Sequence, residues 1–181
     1  MSLEEYYVRK KSIPESIDQH MDTLRKYASQ CDSVVEFGVG NGYSTVAFLA
    51  GRPKTLDSYD VERSSSINEI EQVAREAGST QFTFHFLSSL LAEFETTDLL
   101  FIDSLHNYEQ VRDELAFHAH KAKKFLILHD TIYWAYMDQV PSNHPTKGIG
   151  LAIEQYMSVH PEWQICEHHY HQSGLTVYRR V

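Results

Sequence analysis

Apolar residues along this chain fall into two alternating rhythms. Short strand-like runs occupy residues 33–37, 54–59, 81–87, 98–103 and 125–128, all apolar but the second, which is less so and sits where a second strand is due. The third run alternates Phe82, Phe84 and Phe86, the period of a half-buried strand. The fourth, Asp98 through Asp103, is continuous, as in a strand covered on both faces. Between and around these runs the pattern predicts helices over 13–30, 42–50, 64–77, 108–121 and 147–160. Pro14 suits the first turn of the first helix, and a cap is expected among Ser64 to Ser66 for the third. Gly51 with Pro53, and Gly78, supply stops. Residues 163–168 and 175–179 flank Gln172-Ser173-Gly174 and predict a final hairpin. Strands alternating with helices imply a doubly wound, mostly parallel α/β sheet, with the hairpin adding an antiparallel strand at or near an edge. The 181 residues are expected to form a single domain with an N-terminal helical segment over 1–31.

Composition narrows the classes of function. Hydrophobic content is 42% and the formal net charge is -9, without the basic face of a nucleic-acid binder. Lys121, Lys123 and Lys124 form one short basic cluster, expected to close the C-terminal end of a helix. Cys31 and Cys166 lie far apart and have neither disulfide-framework nor zinc spacing. No secretory leader and no apolar run near the roughly 20 residues of a membrane span is evident. The expectation is a cytoplasmic protein with neither nucleic-acid nor membrane partners; a homo-oligomer is left open.

The most informative stretch is Glu36-Phe37-Gly38-Val39-Gly40-Asn41-Gly42, where the first strand turns into a helix beginning at Tyr43 and Ser44. An open α/β sheet binds nucleotide-like ligands at such a turn. The spacing is E-x-G-x-G-x-G rather than the G-x-G-x-x-G of dinucleotide binders. Tyr43 falls where the third dinucleotide glycine would be, and its ring would crowd a pyrophosphate. A ligand without phosphates is favoured.

This segment resembles motif I of the class I S-adenosylmethionine (SAM) methyltransferases, and the order of strands and helices after residue 32 is similar to theirs. The resemblance implies a Rossmann-like fold with SAM as cofactor. It implies a donor site built from Glu36, Phe37, Gly38, Gly40, Asn41, Gly42, Tyr43 and Ser44, with Glu36 orienting the donor. Asp60, near the roughly 20-residue offset of a ribose-binding acid, would take the ribose, next to Val61. Ser88 stands where the family contacts adenine, although a cap explains it equally. Asp103 borders the same site.

Asp103 at the end of the fourth strand and Asp130 at the end of the fifth resemble the aspartates of a subset of the family. That subset comprises the small catechol-type O-methyltransferases and the cephalosporin-hydroxylase-like and macrocin-type relatives. There such a pair holds Mg²⁺ or another divalent cation on the acceptor hydroxyl, lowering its pKa. The place of the family's third ligand, an amide, is taken by Thr131; His129 is the alternative and would favour a transition metal. His106 stands where the pattern has a lysine base, and an imidazole suits proton removal near neutral pH. Loop 131–146, with Tyr133, Trp134, Tyr136 and Met137, is expected to form the acceptor site. His168, His169 and His171 are expected to be solvated.

The sequence therefore predicts a SAM-dependent methyltransferase acting on an oxygen of a small-molecule acceptor. A NAD-dependent oxidoreductase, a non-catalytic SAM-binding protein and a protein methyltransferase are the alternatives.

Overall fold

A computed structural model describes residues 1–140 and 147–181. Seven strands form one sheet in the order β3-β2-β1-β4-β5-β7-β6. The strands are β1 (Ser33–Phe37), β2 (Thr55–Asp60), β3 (Gln81–Phe86), β4 (Thr97–Ile102), β5 (Ala122–His129), β6 (Trp163–His169) and β7 (Leu175–Arg180). The first five are parallel, while β7 runs antiparallel to β5 and to β6. The hairpin thus contributes two strands, with β7 inside the sheet and β6 at its edge.

Among the described residues, six α-helices cover the two faces: α1 (Leu3–Lys11), α2 (Met21–Ala28), α3 (Tyr43–Gly51), α4 (Ile67–Ala77), α5 (Tyr108–His118) and α6 (Gly148–Val159). Alternation along each strand divides the core accordingly. Val34, Leu56, Leu99, Phe101 and Ile127 face a cluster with α1 to α4. Val35, Phe37, Leu100, Ile102 and Leu128 face a second cluster with α5 and α6. Burying one such Leu or Phe side chain is worth about 1.5–3 kcal/mol. Among the described residues no helix is long and apolar enough to cross a membrane.

Three local expectations are corrected. The helix predicted over 13–30 is two pieces, a 3₁₀ turn (Asp18–His20) and α2; residues 13–17 are not helical. The N-terminal helix lies earlier, at α1. There the Ser2 hydroxyl accepts from Glu5 N–H while the Glu5 carboxylate accepts from Ser2 N–H, a capping box. Ser66 does not cap α4; its hydroxyl donates to the carbonyl of Asn41, 3.0 Å away. Of the lysine cluster, Lys123 and Lys124 lie in β5, and Lys124 pairs with Asp98 at 3.0 Å.

Strand order reverses between β1 and β4, since β2 lies on one side of β1 and β4 on the other. The carboxyl ends of these two strands therefore open a crevice.

Candidate active site at the β1/β4 crevice

The glycine turn is held from three directions. Gly38 N–H donates to Tyr59 O at 2.9 Å. Asp60 Oδ2 accepts from the N–H groups of Val39 (2.7 Å) and Gly40 (3.0 Å), and its Oδ1 accepts from Glu62 N–H at 2.9 Å. Ser66 holds the far side through Asn41. Gly38 has φ +85°, and a Cβ there would lie 2.0 Å from Asp103 O. Only glycine lets the turn pack directly on the end of β4.

Glu36 lies beneath the turn with no solvent exposure. Its carboxylate accepts from Ser44 Oγ (2.5 Å), from Thr45 Oγ1 (2.8 Å) and from Ser58, its register partner on β2. It ties β1, α3 and β2 together instead of facing the crevice. Burial raises its pKa to about 7 against the opposing pull of the three hydroxyls. Phe37 points into the second core cluster, edge-on to Tyr59 and His118. These two side chains thus depart from the donor-facing positions expected of them.

Most of the remaining candidates line two connected clefts that share Gly38, Gly40 and Asp103. The larger, about 430 Å³, runs past Asp60, Val61, Ser88, Ser104 and Gln110. The smaller, about 210 Å³, is walled by Asn41, Tyr43, Ser44, His106 and Asp130, and by Glu15, Ser16 and Ile17. Gly42 sits behind, at the start of α3. Ser88 lines the larger cleft and caps the following 3₁₀ turn through Leu90 N–H. The strap 15–17, expected as helix packed on the sheet or over the ligand cleft, walls the cleft without being helical.

Four titratable side chains meet at the carboxyl ends of β4 and β5. His106 Nε2 lies 2.8 Å from Asp130 Oδ2 and 3.1 Å from Asp103 Oδ1. Its Nδ1 lies 2.9 Å from Gln139 Oε1, an oxygen that also accepts from His106 N–H, which fixes the amide's orientation. Both ring nitrogens therefore face acceptors, as an imidazolium requires. Burial opposes that charge, but hydrogen bonds to Asp103 and Asp130 outweigh it and raise the pKa to about 10. Both aspartates are held below the usual carboxylate range: burial raises them, and the two histidines more than reverse it. Trp134 lies parallel to the His106 ring at 6.0 Å.

His129 Nδ1 approaches Asp103 Oδ1 at 3.2 Å. The carboxylates favour its charged form too. Its Nε2, however, is buried without an acceptor, so we assign a neutral ring with the hydrogen on Nδ1, the nitrogen that would have to give it up to hold a metal ion. Asp130 itself adopts φ +59°, a backbone strain that aspartate tolerates better than most residues and that recurs at functional positions. Asp103, His129 and Asp130 each offer one ligand atom, all within 4.8 Å of one another, and two carboxylates with one imidazole fit a divalent cation. Thr131 follows on the same loop. Its hydroxyl accepts from Thr176 Oγ1 at 2.9 Å, which also bonds His168 at 2.8 Å.

The histidines of the final hairpin are not simply solvated. His169 bonds Glu167 at 2.9 Å, and its ring packs against His20 with that of His171. Of the predicted acceptor loop, residues 131–140 are described; Tyr133 and Tyr136 are exposed. Its remainder, 141–146, lies outside the described residues. Gln139, which orients His106, had no local sequence signal.

A family model described as a methyltransferase domain matches residues 35–131, the span from β1 through Thr131. The chain belongs to this family. The matched span of this methyltransferase-domain protein contains the glycine turn, Asp60, Asp103, His106 and Asp130. Solved structures share the whole fold. A candidate O-methyltransferase from Klebsiella pneumoniae superposes with TM-score 0.67 at 16% identity, over 98% of this chain and 89% of that one. An O-methyltransferase from Bacillus cereus in complex with SAH gives 0.65 at 14%, over 99% and 90%. The O-methyltransferase TomG of tomaymycin synthesis from Streptomyces achromogenes, in complex with SAM, gives 0.65 at 16%, over 91% and 80%. No curated protein sequence matches the chain.

Proposed function

We propose that this methyltransferase transfers the methyl group of SAM to an oxygen of a small-molecule acceptor. One observation carries the reading: the glycine turn packs onto Asp103, so the donor loop and the Asp103/His106/Asp130 cluster share one crevice. The names of the Bacillus cereus and Streptomyces achromogenes structures, O-methyltransferases with SAH or SAM, support it. The larger cleft falls in the size range of small-molecule sites and suits the adenosine half of the donor. Asp60 binds the ribose hydroxyls there and also holds the loop. The methionine half reaches past Gly40 into the smaller cleft.

In the reaction the acceptor oxygen attacks the methyl carbon, the carbon–sulfur bond breaks, and S-adenosylhomocysteine leaves. The acceptor's proton passes to His106 in its neutral form, which a pKa of about 10 leaves as a minor population near neutral pH. Holding the reactants in line contributes up to about 7–11 kcal/mol in the best model systems. Asp103, Asp130 and His129 are the residues that would hold a divalent cation, which when bound polarises the acceptor oxygen. The scattered charge and the two free cysteines agree with a cytoplasmic enzyme that does not act on nucleic acid.

Calorimetric titration with SAM, followed by detection of S-adenosylhomocysteine released in the presence of catechol-like and other hydroxylated acceptors, tests this reading. Absence of SAM binding would overturn it.

A further inference from the structure

A second group of imidazoles lies beside this site and takes no part in it. His20 ends the 3₁₀ turn (Asp18–His20) and is fully buried. His169 ends β6, and exposed His171 follows on the turn. The ring centroid of His20 lies 5.4 Å from that of His169 and 4.6 Å from that of His171, and those two lie 5.3 Å apart. One nitrogen from each ring falls within 4.8 Å of the others.

His20 is oriented as a ligand. Its Nε2 faces two backbone carbonyls, His171 O at 3.2 Å and Gln172 O at 3.3 Å, so Nε2 carries the hydrogen. That leaves a lone pair on Nδ1, which is buried with no partner. A metal-bound imidazole is held in this way, its other nitrogen donating to a carbonyl or carboxylate. His169 has such a carboxylate in Glu167, 2.9 Å from its Nε2, and Thr23 Oγ1 lies 3.3 Å from the same atom. A buried acceptor left unmet is unfavourable, and a bound ion meets it.

We propose that His20, His169 and His171 form a binding site for a transition-metal ion of the zinc type, separate from the Asp103/His129/Asp130 set. Three neutral nitrogens with no carboxylate among them select zinc, cobalt or nickel over magnesium. Three protein ligands leave a fourth tetrahedral position for water, and exposed His171 marks the entry side. The two sets are neighbours, since the rings of His20 and His129 lie 5.4 Å apart, yet they share no ligand.

The ligands come from opposite ends of the sequence. The same ends are already joined by Gln172, whose Oε1 accepts from Gln19 N–H at 2.8 Å and whose Nε2 donates to Glu15 O at 2.9 Å and to the Asp18 carboxylate. Glu15, Ser16 and Ile17 wall the smaller cleft. An ion on the three histidines therefore clamps the strap that borders the active site, acting through structure and not through the reacting atoms.

Metal-free protein titrated with Co²⁺ and with Zn²⁺ tests the site. The wild type is expected to take up one more equivalent per chain than His169→Ala/His171→Ala, with a tetrahedral Co²⁺ visible spectrum that the double variant lacks. His171→Ala alone, an exposed replacement that spares the core, is expected to weaken that equivalent at least about 10–100-fold, the loss typical even of outer-shell partners. Asp103→Asn/Asp130→Asn is expected to retain it. Equal stoichiometry and affinity in the wild type and both histidine variants would overturn the proposal. So would a tetrahedral signal abolished by Asp103→Asn/Asp130→Asn and untouched by His171→Ala.

Discussion

Gly38 and Asp103 are in direct backbone contact: a methyl group added to Gly38 would fall 2.0 Å from the Asp103 carbonyl oxygen. Gly38→Ala must also hold alanine in a left-handed conformation, at about 1–2 kcal/mol, besides forcing an overlap worth about 1–3 kcal/mol. The expected outcome is a protein less stable by roughly 2–5 kcal/mol by these two terms, with β1 and β4 pushed apart and SAM binding lost. Urea unfolding and calorimetry read both effects; an unchanged midpoint would contradict the close approach.

Asp60 serves the turn through Val39 and Gly40 as well as the proposed ribose. Asp60→Ala leaves two loop N–H groups without their charged acceptor, where such bonds are each worth about 1.5–3 kcal/mol. SAM affinity is expected to fall by more than about tenfold. Adenosine, which carries the same ribose hydroxyls, should lose affinity in parallel, whereas a ligand contacting only the smaller cleft should lose less.

His106 bridges the two aspartates and is proposed to handle the acceptor's proton. His106→Ala should lower kcat by about 10²–10⁴, the usual contribution of a positioned acid–base group, with SAM affinity nearly unchanged. Single-turnover kinetics beside SAM titration separate the two quantities. A variant that retains full turnover would remove His106 from the chemistry.

Glu36 gives stability a pH dependence of definite sign. Its folded pKa, about 7, lies above the ordinary carboxyl value of 4.5. The stability it contributes is therefore fully present below about pH 4.5 and is lost as pH rises through about 7, a change of roughly 3 kcal/mol. Glu36→Gln keeps the shape and removes the titration. The difference in urea midpoint between pH 5 and pH 8 should be smaller in Glu36→Gln than in the wild type. Equal differences would mean that Glu36 titrates alike in both states.

Four parallel strands were legible because each carries its own apolar run, β2 because the order of elements requires a strand there, and the glycine turn because its spacing is dictated by backbone geometry. The aspartates at 103 and 130 followed, since a strand's end places them at a known edge. Other features needed contacts distant in sequence. Glu36 is acidic at the family's position, yet only the register of β1 with Ser58 and the first turn of α3 show that hydroxyls consume its carboxylate. Gln139 meets His106 across a loop with no period. Helix α1 was readable in principle, since Ser2 and Glu5 spell a capping box, but its residues are too polar for a periodic signal. The break at 13–17 was masked by apolar spacing that continues through Pro14 into the 3₁₀ turn. The hairpin histidines looked solvated because their partner, His20, lies at the other end of the chain.

Placing β7 between β5 and β6 has a consequence for assembly. β5 gains its outer neighbour only when a segment made much later, after α6 and β6, folds back and inserts antiparallel to it. Until then the backbone groups along that side of β5 are an open edge, the kind of surface that recruits other chains. The pairing is also non-local and so slow to form. A chain shortened by the residues of β7 would keep the glycine turn and every acidic ligand, yet carry a sticky flank beside them. Aggregation during synthesis, rather than loss of chemistry, is then the first defect to expect from damage to the final hairpin.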